Sequence, residues 1–244
     1  LTKNNKSKDK ITFSGRFKKG INNNSNIVTK LLYLLRKNNL LNNKNFKINI
    51  KKNIPHGSGL GGGSSNAAAL LNFFNKKENL KLSKKKLIKL GRNLGFDVPI
   101  SLEKKNTLLS GKKNKILRFN KKFRFNLLIV YPNIICSTKK IYSINKKKSP
   151  FKNIYSSKID NNKKIIDFLN KNKNDLENVV INIYPKVGKL INYIKSLKGC
   201  YFSRITGSGS ACIGIFSSRS NAIKAKRMIG SKYPTYWCVV SKTI

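Results

Sequence analysis

The stretch Pro55-His56-Gly57-Ser58-Gly59-Leu60-Gly61-Gly62-Gly63-Ser64-Ser65-Asn66 places five glycines within the seven residues from Gly57 to Gly63. Ahead of it, FKINIKKNI (46–54) sets Phe46, Ile48 and Ile50 at alternate positions, the period of a half-buried strand. Behind it, Ser64 to Asn75 (SSNAAALLNFFN) opens with residues that accept backbone N–H bonds and continues with three alanines and large apolar residues, which predicts a buried helix. Glycines remove Cβ atoms, so backbone N–H groups can converge on an anion, and the start of the helix adds the positive end of its dipole. Strand, glycine loop and helix in that order predict a phosphate cradle.

Three phosphate-binding templates can be tested against this loop. A Walker loop needs Lys directly after its last glycine, and Ser64 follows Gly63 here. Gly57, Gly59 and Gly62 satisfy G-x-G-x-x-G, but the dinucleotide fold then asks for a strand ending in an acidic residue about 20 positions on. Glu78 stands instead between Lys77 and Asn79, ahead of a second helix that Ser83 can cap and Gly95 can end, with Leu87, Ile88 and Leu94 on its apolar side. The protein-kinase set fails too, because neither His-Arg-Asp nor Asp-Phe-Gly occurs.

Outward from the loop, the second half predicts a strand over 123–131 ended by Pro132, then helix plus mobile loop over 139–157. Helices follow at 163–170 and 184–197, a strand at 200–206, the turn Gly207-Ser208-Gly209, a strand at 211–216, a helix at 221–229 and a strand at 236–240. Helices and strands alternate without internal repeats, which indicates a two-layer α/β or α+β architecture with a boundary near Lys121.

With 244 residues the chain can bury a core, and its 53 Lys and Arg against 8 Asp and Glu leave a net charge of +45. Such a charge puts nucleic acid forward as a partner. Against that, the excess is mostly Lys, runs through every segment, and travels with many Asn and Ile, as an AT-rich coding sequence would produce. It reads as solvated surface that helps attract anionic ligands, with nucleic acid the less favoured partner. No apolar run of roughly 18 residues occurs, so no membrane span is expected. Cys136, Cys200, Cys212 and Cys238 lie far apart and His56 is the one histidine, so no metal-ligand spacing is present and reduced thiols are expected.

The loop resembles that of the GHMP small-molecule kinases, P-x-x-x-G-L-G-[SG]-[SG]-[SA]. Four further segments agree in order and spacing: Gly95-Phe96-Asp97-Val98-Pro99, Ser137-Thr138 ahead of Tyr142, Asn174-Asp175-Leu176-Glu177, and Thr206-Gly207-Ser208-Gly209-Ser210-Ala211. The triple glycine Gly61-Gly62-Gly63 is similar to the branch of the family that phosphorylates the 2-hydroxyl of a cytidine-diphosphate-linked methylerythritol in the non-mevalonate route to isoprenoids. Other branches, acting on homoserine or mevalonate, usually carry Gly-Leu-Gly-Ser-Ser.

The resemblance implies an α+β fold of two lobes, an N-terminal α/β domain of ribosomal-protein type over 1–121 and a C-terminal α/β sandwich over 122–244. It implies ATP and Mg2+, a small-molecule acceptor, no membrane, a cytoplasmic location, and a monomer or homodimer. Pro55 to Ser65 would hold the ATP phosphates, with Asn26 near the adenine. Asp97 would be the general base, although an Asp at that point could equally cap a helix. Thr138 and Tyr142 would line the acceptor pocket, although a Tyr at helical spacing is more often core, and Gly207, Ser208 and Gly209 would form a second glycine turn that closes the site. His56, within the loop, reads as a surface residue.

Members of the family normally begin with a strand carrying Pro-x-Lys-x-Asn and then Arg-x-Asp-Gly-Tyr-His, and neither occurs here. A clipped kinase and a decayed copy are both open on this reading. A truncation would also remove a strand from the first sheet and leave an edge exposed.

Overall fold

The computed structural model describes residues 1–4, 8–110, 115–145 and 161–243. The chain divides into two compact units, Leu1–His56 with Gly61–Lys104, and Gly57–Leu60 with Lys105–Ile244.

The first unit holds β1 (Thr2–Asn4), β2 (Lys10–Ser14), α1 (Ile27–Lys37), β3 (Asn45–Lys51), α2 (Gly62–Lys77), α3 (Lys84–Leu94) and α4 (Val98–Ser101). Its sheet has the order β1-β3-β2. β3 runs antiparallel to β1 and parallel to β2, with Ile11 opposite Ile48 and Phe13 opposite Ile50. A parallel pair needs a crossover, and α1 supplies it. The alternation expected over 46–54 is realised, since Phe46 and Ile48 are buried while Lys47 and Asn49 are exposed. Val28, Leu31, Leu32 and Leu35 of α1 recur at helical spacing and pack with Leu71 and Phe74 of α2 on the sheet. The Phe46 and Phe74 rings meet edge to face, 4.9 Å between centroids. At the rim, Arg36 grips Asp9 bidentately at 2.7 and 2.9 Å, and Asp9 also accepts the Phe46 N–H at 2.9 Å.

The second unit contains the hairpin β4 (Thr107–Ser110) and β5 (Lys115–Arg118), then β6 (Asn126–Tyr131), α5 (Thr138–Ile144), α6 (Asn162–Lys171), α7 (Glu177–Ile183), α8 (Pro185–Ser196), β7 (Cys200–Ile205), β8 (Cys212–Phe216), α9 (Arg219–Lys232) and β9 (Trp237–Lys242). Four strands form an antiparallel sheet in the order β7-β8-β6-β9. Leu128 and Val130 of β6 pack in one cluster with Val187, Leu190 and Ile194 of α8 and Ala222, Ala225 and Ile229 of α9. Leu127, one residue out of phase, joins Phe123, Phe125, Phe202 and Ile215 with Ile165 and Leu169 of α6. The period of two in β6 therefore sorts its side chains between two clusters.

The mixed helix and strand content agrees with the α+β expectation. Several details differ from the sequence reading. The first compact unit ends at Lys104, and in the second the Phe119 ring, next to the hairpin, packs on Phe123 at 5.6 Å. The strand expected over 123–131 begins at Asn126, and α2 begins at Gly62, so two of the loop glycines stand in its first turn. β1, β2, α1, the β4–β5 hairpin and α7 were not foreseen. Of the helix and mobile loop expected over 139–157, α5 accounts for the first residues, and 146–157 lie outside the described residues.

Among the described residues no helix is long and apolar enough to cross a membrane. Cys136 and Cys212 are buried free thiols, and burial raises the pKa of both. Phe74→Ala, which empties the centre of the α1–α2–sheet cluster, is expected to cost about 3 to 5 kcal/mol, read as a lowered denaturant midpoint.

Candidate functional site

Within the second unit, four segments distant in sequence meet around Gly59. The loop residues Gly57, Ser58 and Gly59 offer their carbonyls in turn. Cys136 N–H donates to Gly57 at 2.8 Å, Ala211 N–H to Ser58 at 2.9 Å, and the Thr206 hydroxyl to Gly59 at 3.2 Å. Gly59 has φ +80°, and a Cβ there would lie 2.0 Å from the Thr206 carbonyl oxygen. Gly207, at φ +54°, would bring a Cβ to 2.9 Å from the Gly59 oxygen. The two glycine turns therefore touch backbone to backbone, and no side chain fits between them.

The turn 207–209 is braced from behind. Asn174 donates its amide to the Gly207 carbonyl at 2.8 Å and accepts Leu176 N–H at 3.0 Å, and the Glu177 carboxylate accepts Ile205 N–H at 2.9 Å. The Ser208 and Thr138 hydroxyls share a hydrogen bond of 3.0 Å, and the buried Ser210 hydroxyl donates to the Ile134 carbonyl. Thr138 opens α5 under a Ser137 cap, and Tyr142, one turn on, is 61% exposed while Ile141 is buried. Tyr142 is thus no core residue and presents its ring at the surface of this unit.

In the first unit, α2 begins under Gly61, which is left-handed at φ +67° and contributes no side-chain cap. The N–H groups of its first turn, where an α-helix has no intrahelical acceptors, thus have no capping side chain. Gly63 lies beside Ile27 at the start of α1, 3.8 Å from a Cβ built there. Asn26 caps α1: its side-chain oxygen accepts Val28 and Thr29 N–H at 2.9 and 3.2 Å, and its amide donates to Asn22 and Asn23 carbonyls. His56 meets the Lys19 carbonyl at 2.7 Å, and Pro55 is buried. Asp97 stands at the start of α4, exposed, and its side chain makes no cap hydrogen bond, so the capping alternative is not what the carboxylate does. Its neighbour Val98 packs on Ala67 and Ala68 of α2, which brings the start of α4 onto the glycine-loop helix.

Lys52 was missed in the sequence reading. It is 7% exposed, and burial lowers the pKa of its ammonium. The signal was present, since Lys52 continues the inward phase of Phe46, Ile48 and Ile50 and is the charged member of that series. Among the described residues, no cluster of three or more His, Cys, Asp or Glu side chains is positioned to hold a metal ion.

The model for the GHMP kinases N terminal domain matches residues 26–105, and that for the GHMP kinases C terminal matches residues 151–235. The chain belongs to the GHMP kinase family. A 4-diphosphocytidyl-2-C-methyl-D-erythritol kinase of Pelagibacter ubique is 38% identical over 245 residues, covering 100% of this chain and 85% of the relative. The protein of the same name from Wolbachia pipientis is 33% identical over 220 residues, 89% of this chain and 74% of the relative.

Among solved structures, a 4-(cytidine 5'-diphospho)-2C-methyl-D-erythritol kinase matches with TM-score 0.70 at 21% identity, covering 96% of this chain and 82% of its own. A homoserine kinase from Cytophaga hutchinsonii matches with TM-score 0.71 at 17% identity, covering 99% and 84%. At these identities the structures show the fold. As a GHMP kinase, the chain is a phosphotransferase.

The two loop glycines make opposite demands that a pair of variants separates. Gly59→Ala forces a methyl into a backbone carbonyl at positive φ and is expected to cost about 3 kcal/mol or more. Gly61→Ala meets no atom within 4 Å and carries only the left-handed penalty of about 1 to 2 kcal/mol. Thermal unfolding of both measures the difference.

Proposed function

We propose that this GHMP kinase transfers the γ-phosphate of ATP to the 2-hydroxyl of 4-(cytidine 5'-diphospho)-2-C-methyl-D-erythritol, a step of the non-mevalonate route to isoprenoid precursors. The observation that carries the substrate is the 38% identity along the whole chain to a relative of that name, with the triple glycine in support. The likeness to homoserine kinase is one of fold and favours no second acceptor.

In this reading the uncapped start of α2 and the glycines around it hold the nucleotide phosphates, and Asn26 sets the start of α1 near the adenine. Asp97 takes the proton of the acceptor hydroxyl as its oxygen bonds to the γ-phosphorus and the bond to ADP breaks. An exposed carboxylate whose side chain caps nothing is free to serve as such a base. Most of the rate would come from positioning and from backbone N–H groups facing the phosphates. The described residues form no cage for magnesium, which in this reading arrives on the phosphates themselves.

Thr138, held by Ser208, and the exposed Tyr142 serve the acceptor, with the Tyr142 ring stacking on cytosine. Gly207, Ser208 and Gly209 hold the loop in place. The enzyme works in the cytoplasm, as a monomer or a homodimer.

The test is ATP consumption that depends on the cytidine-linked acceptor. Asp97→Asn is expected to remove turnover by 100-fold or more while MgATP still binds, and retained turnover removes Asp97 as the base. Tyr142→Ala is expected to raise KM for the acceptor about tenfold and leave KM for ATP unchanged. Turnover with homoserine or mevalonate, uninhibited by CDP, reassigns the acceptor. Salt-steep RNA binding without ATP consumption overturns the kinase reading of this copy.

A further inference from the structure

Residues 95–98 form a tight turn between α3 and α4. Gly95 N–H donates to the Gly91 carbonyl at 3.1 Å, and Val98 N–H donates to the Gly95 carbonyl at 3.2 Å. Val98 and Pro99 are buried, so the far side of the turn is anchored in its unit. Phe96 and Asp97 are the two central residues. Asp97, at φ −85° and ψ −14°, has the backbone of the second central position of a type I turn. Both side chains stand at the tip, exposed.

Turn chemistry accounts for Asp97 but not for Phe96. The tip of a turn is ordinarily filled by Pro, Asp, Asn, Ser or Gly, which preset the backbone or hydrogen-bond to it, and a phenylalanine does neither. Nor is Phe96 employed in packing. It is 68% exposed, and no other described phenylalanine is more than 36% exposed. A ring left in water is apolar surface whose covering is favourable. Its place says what covers it. Consecutive Cα atoms lie about 3.8 Å apart, so a molecule that reaches the Asp97 carboxylate also comes within reach of the Phe96 ring.

In the proposed reaction the carbon that bears the reacting hydroxyl also bears a methyl group, two bonds from the reacting oxygen. With that hydroxyl about 3 Å from the carboxylate, the methyl is held within a few ångströms of the tip of the turn. The acceptor is otherwise made of hydroxyls, phosphates, sugar and base. It thus brings its methyl to the one point of this turn at which the protein exposes an apolar side chain.

We propose that Phe96 is a specificity-determining residue of this kinase, its ring covering the 2-C-methyl group of the acceptor while Asp97 takes the proton of the 2-hydroxyl. The inference rests on the reading of Asp97 as the base and of the acceptor as the methylerythritol compound. To that reading it adds the group that tells a methylated acceptor from an unmethylated one. Ring and methyl leave water together when the acceptor binds, which gives the exposed ring its partner.

The experiment is steady-state turnover of the full chain with two acceptors, 4-(cytidine 5'-diphospho)-2-C-methyl-D-erythritol and the analogue with hydrogen in place of the methyl. Wild type, Phe96→Ala and Phe96→Leu are compared, with KM for ATP and Tm for each. The wild type is expected to favour the methylated acceptor by about fivefold to tenfold in kcat/KM, the worth of one methyl group in an apolar contact. Phe96→Ala is expected to bring that ratio close to one by losing rate on the methylated acceptor, while the analogue falls by no more than about twofold. Phe96→Leu, still apolar, is expected to keep a ratio between the two. KM for ATP stays the same, and Tm stays within about 2 °C because the side chain is exposed.

A ratio of two acceptors on one protein cancels any general loss of active enzyme, so a merely structural role leaves it at the wild-type value. A wild-type ratio in Phe96→Ala overturns the assignment, whether the two rates are unchanged or fall equally, and so does a wild type that does not distinguish the acceptors. Turnover of the methylated acceptor with an unaltered ratio in the variants defeats the ring alone and leaves the substrate standing. A wild type that turns over neither acceptor defeats the substrate assignment and this inference with it.

Discussion

The contact of Gly59 with the backbone of residues 206–209 is the constraint on which the candidate site depends. A Cβ at Gly59 would fall 2.0 Å from a carbonyl oxygen, so the two turns approach only because neither has a side chain at the point of contact. That approach aligns the carbonyls of residues 57, 58 and 59 with donors from residues 136, 211 and 206. Three bonds and a glycine seam thus hold Gly57–Leu60 in the second unit, although the residues before and after them in the chain belong to the first. The next peptide bond leads to Gly61 and the start of α2, so the covalent chain links the braced turn to the uncapped helix.

Charge is distributed in the same spirit. Acidic side chains are few, and those described are mostly spent on structure. Asp9 ties α1 to β3, Glu78 and Glu103 pair with lysines, and Glu177 takes the N–H of Ile205 behind the glycine turn. Asp97 departs from this, with an exposed carboxylate that caps nothing. A surface rich in lysine and poor in carboxylate suits a protein whose nucleotide and proposed acceptor are both polyanions.

Much of this could be read from the residues. The alternation of Phe46, Ile48 and Ile50, the alanine run that follows the glycines and the Ser83 cap are local signals, and the corresponding elements formed within a few residues of where they were expected. The elements that were missed lack such signals. β1 and β2 are three and five residues long and polar in part, and they exist because β3 pairs with them on both sides. α7 is seven residues without a side-chain cap, carried by Val180 in the core. Asn26 shows the limit from the other direction, since one asparagine among many becomes a cap only through its bonds to Val28 and Thr29.

By itself the sequence determined the order of strand, glycine loop and helix over 46–75, the missing Cβ atoms of that loop and the family, because these depend on periodicity, glycine content and motif spacing, all local properties of a chain. Tertiary structure decided what those residues touch. It placed Asn174, Glu177 and Thr138 behind one glycine turn, left Tyr142 at the surface, and buried Lys52 beside the first turn of α2. Burial and partnership come from segments dozens of residues apart meeting in space. A lysine in a run of lysines therefore shows its distinction only once the fold has removed the water around it.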